Sequence, residues 1–131
     1  MIDVESLVFD RVYASMSELV PEGNFSSQYV PTASSFPFVT LMEMDNMTDT
    51  QHQSTALDEE YAIITYEANV YATDKVECRE VMDALDRVMI RLNFTRISMA
   101  TIPNLADRTI FRITARYRAV ADQNKRLYRH R

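Results

Sequence analysis

The side chains with the most chemistry to offer are three arginines on one strand-like segment, Arg112, Arg116 and Arg118. Residues two apart on a strand share a face. Arg112, Thr114, Arg116 and Arg118 therefore project one way, and Thr109, Phe111, Ile113, Ala115, Tyr117 and Ala119 the other. A guanidinium is planar and permanently charged, and its fork can hold a carboxylate or a phosphate through two hydrogen bonds. Four uses compete: a solvated strand face, cross-strand pairing with Glu67 in the same sheet, an acidic surface on a neighbouring subunit, and nucleic acid. The net charge of −5, the absence of Trp and the lack of aromatics among these arginines argue against specific nucleic-acid binding. Passive contact with DNA passing through a lumen stays compatible with such a face.

Other chemistry-bearing residues do not assemble into a catalytic pattern. A nucleophilic triad needs a base held beside a hydroxyl or thiol and oriented by a third group. His52 lies in a polar stretch and His130 is penultimate, so neither is on a rigid element. The single cysteine, Cys78, excludes an internal disulfide and a cysteine zinc site, and it falls in an apolar helical stripe as a small buried hydrophobe. Gly23 is the only glycine, too few for a phosphate-cradling loop. Asp45, Asp49, Asp58, Glu59 and Glu60 lack the alternating spacing and the glycine of a calcium loop. Glu43 and Glu67 sit on strand-like segments, where a carboxylate pair for hydrolysis would need further groups that the sequence does not place nearby. The expectation is a non-enzymatic protein with no cofactor and no metal.

The elements that must position these residues follow from periodicity. Val4, Leu7, Val8, Val12 and Met16 recur at helical spacing and predict a helix over 3–19, with Asp3 as N-cap and Ile2 and Leu7 as its hydrophobic staple. Pro21, Gly23 and Asn24 end it. A short edge strand is expected around 28–30 and a stronger strand over 36–45. The stretch 46–60 is polar and patternless, and its length suggests a functional arm. We expect it to order only against partners, because it cannot bury enough apolar surface to offset its own ordering entropy. Asn46, Asp49, His52, Asp58, Glu59 and Glu60 are its candidate contact residues.

Alternation of Ala62, Ile64, Tyr66, Ala68, Val70 and Ala72 predicts a strand over 61–73. A helix over 75–92 follows, capped by Asp74 with Glu77 three residues on, and striped by Cys78, Val81, Met82, Leu85, Met89 and Leu92. Asp83 and Arg87 stand four apart on its solvated side, and Asn93 suits a left-handed C′ position. Strands over 95–101 and 109–120 come next, then a basic tail. Half-buried alternation predicts an α+β domain over 1–131, a mostly antiparallel sheet with both helices on one face. No apolar run reaches the ~18–20 residues that cross a bilayer, and the acidic N-terminus is unlike a secretory signal; a cytosolic or packaged protein is expected.

Charge is distributed unevenly. Through Glu60 eleven acids face one base, Arg11; from Tyr61 on, eight acids face thirteen bases. Such a chain suits head-to-tail pairing with its own copies, unless folding mixes the halves on one surface. Pairing of that kind is heterologous, one surface of a copy meeting a different surface of the next. Glu67, Arg112, Arg116, Arg118, Lys125, Arg126, Leu127, Tyr128, Arg129 and Arg131 are the candidate interface residues, with Leu127 and Tyr128 as apolar anchors of a tail that reaches the adjacent subunit.

Several segments carry a more specific signal. Tyr29-Val30-Pro31 through Ser35-Phe36-Pro37-Phe38-Val39, ending in Glu43-Met44-Asp45-Asn46, resembles the early part of the tail terminator proteins of long-tailed bacteriophages, also called tail-completion or minor capsid proteins. Tyr66-Glu67-Ala68-Asn69-Val70-Tyr71, Leu92-Asn93-Phe94-Thr95-Arg96, Ile102-Pro103-Asn104-Leu105-Ala106-Asp107, Ile110-Phe111-Arg112 and Ala115-Arg116-Tyr117-Arg118-Ala119-Val120 are similar to the same family in order and spacing. The resemblance implies a homohexameric ring at the head–tail joint of a virion. Such a ring caps the tail tube and ends its polymerisation, with tube protein on one face and the head connector on the other. Its alternatives are a head-closure or adaptor ring from that joint, or a small non-catalytic binding or inhibitor protein.

Overall fold

The apolar stripe near the N-terminus folds as helix α1 (Glu5–Met16), burying Val8, Val12 and Met16. The computed structural model describes residues 1–28, 35–48, 61–103 and 107–130. Val4, not Asp3, takes the cap position; Asp3 still contributes, its Oδ1 accepting from the Glu5 N–H at 3.1 Å. The helix ends before the expected 17–19 segment. After it come β1 (Phe25–Ser26), β2 (Phe38–Thr48), β3 (Tyr61–Ala72), α2 (Lys75–Arg91), β4 (Thr95–Ile102), β5 (Phe111–Asp122) and β6 (Leu127–Arg129).

The fold is α+β, as the alternation predicts: two helices and a six-stranded, mostly antiparallel sheet. Strand order is β1-β2-β3-β5-β4. The one parallel pair is β1 with β2. Strand β5 is inserted between β3 and β4, which are joined in sequence through α2. Beyond β4, β6 pairs with Ala119–Ala121 on the same side of β5.

One face of the sheet is the core face. Val39, Leu41, Ala62, Ile64, Tyr66, Ala68, Val70, Ala72, Ile113, Ala115, Tyr117, Ala119 and Ala121 are buried with the stripes of α1 and α2 in one cluster. The alanines let α2 lie close across β3 and β5, while Tyr66 meets Phe94 edge-to-face at 5.5 Å between centroids. Phe9 and Tyr13 of α1 close on Phe25 at 5.1 and 5.6 Å, fixing α1 to the edge of the sheet. Asp74 caps α2 by accepting from the Val76 N–H at 3.1 Å, and Asn93 ends it at φ 72°. Arg87 does not reach the Asp83 carboxylate as expected; its Nε donates to the Asp83 backbone carbonyl at 3.4 Å.

A short edge strand lies at Phe25–Ser26, held by buried Asn24, whose Nδ2 donates to the Pro37 carbonyl and whose own carbonyl accepts from the Val39 N–H; the strand expected around 28–30 falls, past Gln28, outside the described residues. Strand β2 runs past Asp45 to Thr48, with a bulge between Glu43 and Asp45 that absorbs one residue.

Candidate assembly surface

The face of the sheet opposite the helices carries the arginines. Register sets Thr65 opposite Arg118, Glu67 opposite Arg116, Asn69 opposite Thr114 and Tyr71 opposite Arg112. The cross-strand reading is the one that the geometry realises. Arg116 Nη2 lies 3.4 Å from Glu67 Oε2, Arg112 Nε donates to Asn69 Oδ1 at 3.0 Å, and Arg118 Nε donates to Thr65 Oγ1 at 3.4 Å. The Arg112 guanidinium also sits 5.5 Å from the centre of the Tyr71 ring. Glu67 is the hub, since Oε1 accepts from Asn69 Nδ2 and Thr114 Oγ1 as well. Its side chain is 14% exposed and that of Arg116 is 56% exposed, so the acid is sequestered and the base still faces outward. Sequence reasoning singled out Glu67 and the arginines as contact residues and set Thr114 on their face, but gave no role to Thr65, Asn69, Tyr71 and Thr114, which tie them into one network. Their own alternation on the polar face was the available signal.

Glu43 and Glu67 cannot act as a pair. Glu43 stands opposite Tyr66 on the helix side, whereas Glu67 stands opposite Met42 on the arginine side. Burial, then the negative charges of Glu5 and Asp3, push the Glu43 carboxyl above its ordinary value. Its Oε1 and the Tyr66 hydroxyl are buried without hydrogen-bond partners among the described residues. Burial, followed by Glu43, also drives the Tyr66 phenol far up. Cys78 is buried, as its stripe predicts, and burial raises its thiol to about 11. Tyr117 is also buried and donates to Asp86 Oδ1 at 2.7 Å; Asp86 Oδ2 in turn lies 3.4 Å from Arg96.

The basic tail is the main correction. Leu127, Tyr128 and Arg129 do not extend from the domain; they form β6 and pair with Ala121, Val120 and Ala119. Lys125 and Arg126 make the turn, with Lys125 at φ 62°. Asp122 organises it: Oδ1 accepts from the Asn124 and Arg126 N–H groups at 2.9 and 3.0 Å, and Oδ2 from the Tyr128 hydroxyl at 2.9 Å. Desolvation, the largest single influence, raises the Asp122 carboxyl, but these donors and the Arg126 charge together outweigh it and leave it below the usual value. Leu127 packs against the core, and its carbonyl accepts from Asn93 Nδ2 at 2.9 Å. The physical reason is that an unpaired edge of β5 was available and Asp122 supplies the turn.

Of the arm residues, Asn46 lies in β2, where its Nδ2 donates to the Ile2 carbonyl at 2.8 Å. Asp49, His52, Asp58, Glu59 and Glu60 lie outside the described residues, as do Arg131 and the Tyr29-Val30-Pro31 and Asn104-Leu105-Ala106 segments. Among the described residues no three His, Cys, Asp or Glu side chains gather as metal ligands, and no helix is long and apolar enough to cross a membrane.

The two edges of the sheet differ in charge, while α2 carries both signs. α1, β1 and β2 lie at one edge, and residues 1–48 hold seven acids against Arg11. β4, β5 and β6 lie at the other, and residues 95–130 hold eight arginines and lysines against Asp107 and Asp122.

No family model and no curated protein matches the chain. Its fold is similar to that of a chain in the solved virion of a native gene transfer agent (GTA) particle, with a TM-score of 0.63 at 12% identity. That superposition covers 90% of this chain and 96% of the other. At this identity the likeness is one of fold.

Proposed function

We propose that the chain is a structural subunit of a phage-like virion, and that within it the chain forms a ring closing the end of the tail tube at the joint to the head. The observation that carries this is the end-to-end fold likeness to a chain of a GTA virion, since 96% of that chain is matched with no large remainder. The sequence resemblance to tail terminators supports the narrower reading, a place at the end of the tail. Opposed acidic and basic edges favour a heterologous contact that closes on itself, the kind from which rings are made. The arginine face then offers a preformed, internally paired polar surface for tube, connector or passing DNA, and the protein acts by contact without turnover.

The test is tube assembly. Tail-tube protein polymerised with and without this chain should give open-ended growth in its absence and short, capped tubes in its presence. Unchanged tube lengths with binding to connector rings would favour the head-closure role. Unchanged lengths with binding to neither would contradict the reading.

A further inference from the structure

Strand β4 is unlike every other long strand of this sheet. Thr95–Ile102 is exposed along most of its length, with Ile97 48% exposed at a bulge between Arg96 and Ser98. It pairs with β5 on one side and ends the strand order on the other. Its sequence carries one charge, Arg96, which is engaged by Asp86, and no proline before Pro103. Proteins blunt such edges with lysines, prolines or covering elements, because a row of unpaired N–H and C=O groups templates pairing with another chain. Among the described residues the far side of the sheet has a second open edge. β1 pairs with β2 only at Val39 and Thr40, leaving the outer side of β2 from Leu41 to Met47 without a strand partner. Met44 and Met47 on that stretch are 49% and 47% exposed, beside Glu43 and Asp45.

We infer that the outer edge of β4 in one copy pairs with the outer edge of β2 in the next, so that the sheet runs on from subunit to subunit. The occupant is a second copy because the two edges complement each other in hydrogen bonding and stand on oppositely charged sides of the fold, although β4's own Arg96 is held by Asp86. The β4 side belongs to the basic part of the chain and the β2 side to the acidic part. Strand direction agrees too. β2 and β5 run one way and β3 and β4 the other. A copy set beside another with the same face outward therefore brings β4 against β2 antiparallel. Such a contact is heterologous, and a fixed rotation at each junction closes it into a ring. This deepens the ring reading above by naming its interface, but it rests on the edges alone.

The test is cysteine cross-linking between copies. Ile97→Cys and Thr101→Cys on β4, and Met44→Cys and Met47→Cys on β2, are each made as single variants; buried Cys78 stays in place as an unreactive background. Under mild oxidation, mixing a β4 variant with a β2 variant should give a disulfide-linked dimer in at least one combination, absent from each variant alone. Ile97→Asp, which sets a like charge against the acidic edge, should lower the oligomeric mass by sedimentation and keep the melting temperature. Cross-linking of β4 variants alone would show a two-fold β4–β4 dimer and overturn the inference. Wild-type rings that form without any β4–β2 cross-link would overturn it and leave the ring reading standing. A chain that stays monomeric both alone and on tails would also overturn it. A cross-linked oligomer that ignores tails would uphold the interface and sink the tail role.

Discussion

Deleting residues 123–131 separates a tail from a strand. If the basic segment only reached for a neighbour, its loss would leave the folded subunit as stable as before. The structure predicts otherwise. Removal takes away β6, its ladder to Ala119–Ala121, the Asn93 bond to the Leu127 carbonyl and the Tyr128 bond to Asp122. Each exposed hydrogen bond contributes about 0.5 kcal/mol, near the low end of the usual range. Half-burying Leu127 adds about 1 kcal/mol, and the entropy of ordering the segment offsets part of the sum. A net loss of about 2 kcal/mol is expected, or roughly 6–10 °C in melting temperature at this chain length. Thermal unfolding followed by far-UV circular dichroism reads it directly, and Tyr128→Phe, which removes only the hydroxyl's bond to Asp122, should lower the melting temperature by less than the truncation does. A truncated chain that melts with the wild type would refute the pairing of β6 and restore the free tail.

Other outcomes follow from buried groups. Asp86→Ala leaves the Tyr117 hydroxyl buried without its acceptor and should cost about 1–3 kcal/mol in chemical denaturation, more than Tyr117→Phe, which removes donor and need together. Native Cys78 should resist thiol reagents at mildly alkaline pH, because a thiol raised to about 11 is almost wholly protonated; labelling should follow global unfolding, and fast labelling of folded protein would contradict its burial. Glu43 binds its proton more tightly folded than unfolded, so its effect on stability is lost as pH rises from the ordinary carboxylate value through the raised one. Glu43→Gln should therefore raise the melting temperature at neutral pH and leave it nearly unchanged in acid; a destabilised variant at neutral pH would refute the sign.

The sequence was readable where one period ran unbroken. Alternation from Ala62 to Ala72 and from Phe111 to Ala119 placed two central strands and their faces, and the Cys78–Met89 stripe placed α2 over them. Legibility failed where structure depends on a partner distant in sequence. Phe25–Ser26 is too short to show a period and exists because Asn24 ties it to Pro37 and Val39. Asn46 to Thr48 look like loop residues, yet the antiparallel ladder with β3 carries them on as strand. β6 was hidden by its charges, although Asp122 and Asn124 ahead of Leu127 spelled a turn. The arginine face had four readings because Glu67 and Arg116 are 49 residues apart, and only the β3–β5 register sets them opposite each other.

Electron microscopy of purified tails mixed with the protein tests the central claim most directly. The account predicts a single ring of copies seated on one end of each tail tube, at the end that meets the head. Tails left bare, or decorated along their length by unringed protein, would contradict it.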